Sequence, residues 1–426
     1  MFTFKRTAAT LLTLGLLAGT LAGCGGAKKE EAPKAETPAV SNEPVTVVFA
    51  RGKDSTGATQ VLIDAFQAKY KNITVKFEEL PGNAGQQRDK YVTGLVAGAL
   101  PIDVMALDVT WTAEFAASDW ILPMDDKLGS QKDQFLPGPL ASATWNGKIV
   151  AAPWYTDGGV LYYRTDLVDK APETFEDLVK AAKAGKEKGI ENGIVFQGDQ
   201  FEGLVCNFLE FAWGAGADTG SGGKVVVNSP EAVKGLQFMI DMINDGTAPK
   251  GVTTYKEEDG RQIFQEGKAV FMRNWPYAYA GSQKEGSKVI GKVGLAPMPH
   301  ASGKQSAATL GGFNLAINKG TKVKDAAWKF VEFAISPEGQ RIYATQASRL
   351  PTRKAVFDDP EVQKAAPQFK QIRPAVEQGK PRPVTPFYAK VSDTLQIEVH
   401  KALTGQKTAQ AALDDAQKAI KQILGQ

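Results

Sequence analysis

The apolar residues of this 426-residue chain switch repeatedly between a two-residue and a helical period, and that alternation restricts the folds open to it. Val45-Thr46-Val47-Val48-Phe49-Ala50 is a β-rich run, followed by an apolar stripe at helical spacing from Val61 to about Tyr70. Ile73-Thr74-Val75-Lys76-Phe77 alternates as a strand does, and a helix around Gln86–Ala97 leads to a strand at Asp103–Leu107. Strand and helix in turn predict an α/β domain with a mainly parallel sheet. A second set begins after Pro153, with a strand at Gly159–Tyr163 and helices near Thr174–Lys186, Pro230–Asn244 and Asp259–Gln265. The chain ends in helix from Lys390 to Gly425, broken at Thr404-Gly405, and its length suits two domains. No internal repeat is visible.

The first residues follow different rules. Lys5 and Arg6 precede an apolar or small stretch from Ala8 to Ala22, which ends in Leu21-Ala22-Gly23-Cys24. A charged start, a short apolar run and a small-residue cleavage site predict a signal peptide over residues 1–23. The run falls short of the roughly 20 apolar residues that a membrane span needs. Leu-Ala-Gly-Cys in this position resembles the bacterial lipobox, which implies a lipid on the Cys24 thiol. Two or more acyl chains would hold a protein stably, where one holds it marginally. Residues 25–44, small, charged and Pro-rich, bury almost nothing, so residues 24–44 are expected to be a lipidated, disordered tether. A tether of this length spans at most ~70 Å extended and roughly 25 Å as a coil.

The remainder is of ordinary globular composition, with 43% apolar and 23% charged residues over the whole chain. Fifty basic and 47 acidic residues are interspersed, giving a net charge of +3 without the basic stripe that nucleic-acid binding requires. Apart from Cys24 the only cysteine is Cys206, in the apolar context Leu204-Val205-Cys206-Asn207-Phe208, where it reads as a small buried hydrophobe. His300 and His400 stand alone, with no metal-ligand spacing. No metal is therefore expected; no ATP-binding motif is present either, and no cofactor is expected.

In open α/β sheets ligands sit beyond the carboxyl ends of strands, and in two-domain proteins they favour the interface. Polar and aromatic residues just after strands are therefore the candidates. Asp108 follows the strand at Asp103–Leu107, and Trp275 and Tyr277 follow Ala269-Val270-Phe271-Met272. Tyr155 and Asp157 lie in Pro153–Gly159, a turn-like approach to a strand. Gly312 and Phe313 precede a strand at Leu315-Ala316-Ile317; Arg88 and Arg382 lie in polar and Pro-rich surroundings. Such residues suit a sugar, whose C–H face packs on aromatic rings while its hydroxyls meet carboxylates and guanidinium forks.

Several segments together carry a resemblance. Leu107-Asp108-Val109 with Trp111 and Glu114-Phe115-Ala116, then Ala152-Pro153-Trp154-Tyr155-Thr156-Asp157, resemble the family 1 extracellular solute-binding proteins of ABC importers. So do Met272-Arg273-Asn274-Trp275-Pro276-Tyr277, Leu310-Gly311-Gly312-Phe313-Asn314 and Ser336-Pro337-Glu338-Gly339-Gln340, from about Val45 to the end. Within that family the chain is similar to trehalose/maltose-binding members. The resemblance implies an α/β, two-lobe periplasmic-binding-protein-like fold with a hinge and an interlobe cleft. Lobe one is expected at 45–152 plus 314–352 and lobe two at 153–313 plus 353–426. Ligand contacts are implied at Arg88, Asp108, Tyr155, Asp157, Trp275, Tyr277, Gly312, Phe313 and Arg382. Asp108, Asp157 and Arg88 would bind hydroxyls, Trp275 and Phe313 would stack, and Gly312 would admit close backbone approach. Close relatives tend to carry Trp where this chain has Phe313, which leaves the sugar and linkage open. The loop Lys53-Asp54-Ser55-Thr56 matches poorly but is also expected at the ligand. The implied partners are a small sugar and ABC permease subunits, and energy for transport would come from a separate ATPase. The expected protein is a monomer outside the cytoplasm, held to the membrane by lipid on Cys24.

Rival readings make different demands. A secreted glycoside hydrolase would use Asp108 and Asp157 as an acid–base pair at a set separation. A ferric-ion binder would need Tyr162 and Tyr163 in one cleft, although neighbours on a strand face opposite sides. A glycerol phosphate binder would keep the fold with a different solute, and a role in binding other proteins is compatible with any of these.

Overall fold

In a computed structural model of the protein, residues 43–220, 224–377 and 379–426 are described. The leader, Cys24 and the tether as far as residue 42 lie outside the described residues.

The strands are β1 Val45–Gly52, β2 Ile73–Leu80, β3 Val104–Asp108, β4 Thr144–Trp145, β5 Lys148–Ile149, β6 Ala152–Gly158, β7 Val160–Arg164, β8 Asn192–Val195, β9 Ala269–Asn274, β10 Val293–Ala296, β11 Leu310–Ile317 and β12 Leu350–Pro351. Six of them form one sheet in the order β12-β6-β11-β3-β1-β2, and four form a second in the order β10-β7-β9-β8. The small β4–β5 hairpin turns on Asn146 and Gly147, both at positive φ (47° and 76°), as a tight hairpin turn demands.

Neither large sheet is mainly parallel, which corrects the expectation from the strand–helix rhythm. β1 runs parallel to β2 and β3, but β11 is antiparallel to both β3 and β6. In the second sheet β7 is antiparallel to β9 and β10, and only β8 joins β9 in parallel. The reason lies in the route of the chain. It leaves the first sheet at Gly159, between β6 and β7, and returns with β11, so helical crossovers no longer dictate strand direction. Pro153–Gly158, expected as a turn-like approach, is β6 itself, and Gly311–Asn314 lie inside β11. Every residue of β6 is buried, so no polar alternation marks it as a strand.

Each sheet carries its own apolar core. Beside the first, the Phe49 ring lies 5.0 Å from Phe330 and 5.7 Å from Trp154. Beside the second, Phe211, Leu236 and Phe271 join Leu395, Val399 and Leu413 from the last two helices, Tyr388–Leu403 and Ala409–Leu424. Tyr162 is fully buried in one cluster with Phe264 and Met272, whereas Tyr163 packs against another. The two tyrosines face opposite sides, as neighbours on a strand must.

Local chemistry sets the helix ends. Thr174 and Asp177 exchange side-chain and backbone hydrogen bonds in a capping box, and Ser229 caps a helix that opens with Pro230. Helices Glu202–Gly214 and Pro230–Asn244 approach closely because a Cβ on Gly235 would stand 2.6 Å from Ala212 backbone atoms. Gly235→Val should therefore force these helices apart and destabilise the protein by about 1–3 kcal/mol. Urea unfolding measures this, and an unchanged midpoint would contradict the packing.

Candidate functional site

A cavity of about 440 Å³ lies where strands of both sheets end. From the first sheet, Arg51 and Gly52 come at the end of β1, Asp108 at the end of β3, Tyr155 and Asp157 from β6, and Gly311 to Phe313 from the start of β11. β11 runs antiparallel to β3, so its beginning and the end of β3 share one edge. The opposite wall holds Trp275 and Tyr277 after β9, Phe201, Glu202, Gly203 and Cys206 at the start of helix Glu202–Gly214, and Glu257, Glu258 and Arg261 from helix Glu257–Gln265.

Five cationic and five anionic side chains line this space, and most are paired. Arg382, 2% exposed at its side chain, donates to Glu202 Oε1 at 2.6 Å and to Asp108 Oδ1 at 3.1 Å. Glu202 also accepts the Tyr388 hydroxyl at 2.6 Å and that of Ser392. Burial alone would depress the Arg382 guanidinium, but Asp108 foremost keeps it firmly charged. Arg349 donates to Asp157 Oδ2 at 2.7 Å and lies over two rings, 4.9 Å from the Tyr155 centre and 4.5 Å from Tyr277. Burial pushes the Asp157 carboxyl up to about 6, with Arg349 restraining the rise. Arg51 donates to Thr59 Oγ1 and Tyr343 Oη. Burial would raise its neighbour Asp54, yet Arg51 and the Thr56 and Thr59 hydrogen bonds hold it well below the usual carboxylate range. Not every buried polar atom is matched. Asp157 Oδ1, Gln87 Oε1 and Arg382 Nε, all on lining residues, have no hydrogen-bond partner.

The aromatic faces are held from behind. Tyr162 donates its hydroxyl to the Trp275 carbonyl at 2.7 Å, and the Trp275 backbone N–H donates to Asn274 Oδ1 at 2.8 Å. A Cβ on Gly311 would stand 2.8 Å from the Trp275 ring. Gly312 takes φ +119°, and a Cβ there would stand 2.4 Å from the Tyr155 carbonyl oxygen, so only glycine fits. Phe313 and Trp275 remain half-buried, the former with its ring centre 5.5 Å from Tyr155.

Eight of the nine residues singled out by the sequence thus line one cavity: Asp108, Tyr155, Asp157, Trp275, Tyr277, Gly312, Phe313 and Arg382. Arg88 does not line it. Its guanidinium is held by Glu114, with Nε–Oε2 at 2.8 Å and a second prong from Nη2. One residue is 100° of helix, and it is Gln87 that turns inward, into space that a Cβ on Gly52 would fill. Of the loop expected at the ligand, Lys53 and Ser55 line the cavity. Sequence reasoning missed Arg51, Glu202 and Arg349. Arg349 precedes the antiparallel strand β12, so a search confined to residues after strands passes over it.

The sequence pattern of the bacterial extracellular solute-binding proteins matches residues 52–341. An ABC transporter-binding protein of Deinococcus radiodurans is 37% identical over 398 residues, covering 89% of this chain and 94% of its own. A maltooligosaccharide ABC transporter solute-binding lipoprotein of Streptococcus pneumoniae is 26% identical over 99% of this chain and 98% of its own. The structure of maltose-bound MalE3 of T. maritima superposes with a TM-score of 0.84 at 42% identity, covering 88% of this chain and 99% of that one. Sheets and sequence agree on a two-lobe fold, and the chain belongs to the bacterial extracellular solute-binding protein family.

Proposed function

We propose that the protein binds a small α-glucoside, a disaccharide of the maltose or trehalose kind, in this cleft and delivers it as a monomer to the permease subunits of an ABC importer. The observation that carries the reading is the cleft's balance. Its charged lining cancels, five against five, while three buried polar atoms lack partners and five aromatic rings line the space. An anionic solute such as glycerol phosphate calls for a surplus of cations, whereas a neutral polyhydroxylated one needs paired charges and unclaimed acceptors and donors. Asp108, Asp157 and Gln87 would accept from hydroxyls, Arg382 would donate from Nε, Trp275, Phe313 and the two tyrosines would cover ring faces, and Gly312 would admit close backbone approach. The ion pairs of Asp108 and Asp157, each with an arginine, also argue against the acid and base of a hydrolase. The 42% identical T. maritima protein carries maltose, which supports the same sugar class here.

We further propose that Cys24 is lipidated after removal of residues 1–23. The Leu-Ala-Gly-Cys motif supports this, as does the S. pneumoniae relative, which is named a lipoprotein.

Thermal denaturation of the domain starting after Cys24 should rise by several degrees with one α-glucoside at about 100 times its dissociation constant, a stabilisation of ~2.7 kcal/mol. Trp275→Ala and Asp108→Ala should abolish the rise, and a response only to glycerol phosphate or iron, or hydrolysis of the sugar, would sink the proposal. A second test uses pH. The ionised Asp157 carboxylate is the better acceptor for a hydroxyl, so affinity should weaken as pH falls through about 6, by about tenfold. Titration calorimetry between pH 5 and 7.5 reads this, and Asp157→Asn should flatten the profile. Finally, Cys24→Ser should release the protein from membranes and end incorporation of labelled palmitate.

A further inference from the structure

One buried carboxylate joins the two strand crossings to the Trp275 wall of the cleft. Glu210, on helix Glu202–Gly214, is fully buried and receives Arg273 in two prongs, Nε–Oε2 at 2.7 Å and Nη2–Oε1 at 2.5 Å. The same Oε1 accepts the backbone N–H of Thr309 at 3.1 Å. Thr309 immediately precedes β11, where the chain returns to the first sheet. At the other crossing, between β6 and β7, a Cβ on Gly159 would stand 1.8 Å from Glu210 Oε1 and 2.4 Å from Arg273 Nη2. On its far side the Arg273 guanidinium carbon lies 4.2 Å from the centre of the Trp275 ring, and Nη1 donates to Gln197 Oε1 at 3.0 Å.

We propose that Glu210 and Arg273 are positioning residues that couple the pose of Trp275 to the angle between the two lobes; this rests on the cleft being the ligand site. The physical reason is that the pair has no slack. Any rotation about the crossings moves the Thr309 N–H and the Gly159 backbone against Glu210. The carboxylate then either gives up a buried hydrogen bond, which is costly, or carries the guanidinium with it. The guanidinium supports the back of Trp275, so a sugar that fixes the ring face biases the hinge angle. Packed interiors answer such pressure by switching between arrangements rather than by bending smoothly.

The test places spin labels at Lys71→Cys and Lys180→Cys, one exposed position beside each sheet, and measures their separation in the ligand-free protein. Glu210→Gln keeps the shape and removes the charge. Arg273→Met combined with Glu210→Leu removes the pair but keeps volume, a replacement that buried ion pairs commonly tolerate. Both should shift or broaden the distance distribution. Leu236→Ala, which only loosens the same core, should lower the melting temperature and leave the distribution as it is. In Glu210→Gln the maltose concentration for half-maximal closure should rise at least tenfold. Distributions equal to wild type in both pair variants would overturn the coupling. Failure of the wild type to respond to maltose would count against the sugar reading, and the ligand-free comparison would still decide the coupling.

Discussion

The fold is organised around a pair of opposite charges that see no water. Arg273 and Glu210 are both fully buried, and a pair in that position contributes to stability only if every prong is satisfied. Here the guanidinium meets Glu210 twice and Gln197 once, while the carboxylate also takes a backbone N–H from the strand crossing. The surroundings are cut to suit: Gly159 is glycine because a side chain would occupy the carboxylate's place. The pair itself belongs to the second sheet and its packed helix, and it meets both crossings, through the Thr309 N–H and through the space left at Gly159.

The cleft extends the same principle into a space open to a ligand. Arg382 lies between Asp108 and Glu202, and Arg349 lies between Asp157 and two tyrosine rings. Paired charges lower the desolvation cost of placing so many ionised groups in a cavity, and they leave little net field to attract ions. What stays unmatched is the hydrogen-bonding capacity of single atoms, on Asp157, Gln87 and Arg382. A site of this kind discriminates by geometry and hydrogen-bond direction more than by charge.

Much of the candidate site was legible because strand ends carry chemistry and because motifs such as Arg273-Asn274-Trp275-Pro276-Tyr277 are specific. Asp108 and Trp275 stand where strand period gives way to polar or aromatic residues. The rest was illegible for a definite reason. Asp157 meets Arg349 across 192 positions of sequence, and Asp108 meets Arg382 across 274. No local pattern records such a meeting. Arg88 and Gln87 differ by one step of helix, and only the packing of that helix against Gly52 decides which turns inward.

The sequence by itself determined most of the elements, though not β6. Period sets strand against helix, Thr174, Ser229 and Thr408 cap helices through their own oxygens, and Gly405 and Gly425 end them at positive φ. Those are contacts between near neighbours, which backbone geometry dictates wherever the segment lies. The tertiary structure alone decided which sheet each strand joins, and that β11 enters antiparallel beside β3. It also decided that β6, buried on both faces, is a strand although it shows no alternation. Such outcomes depend on burying apolar surface and pairing buried charge over the whole chain at once, a sum over distant residues that no window of sequence contains.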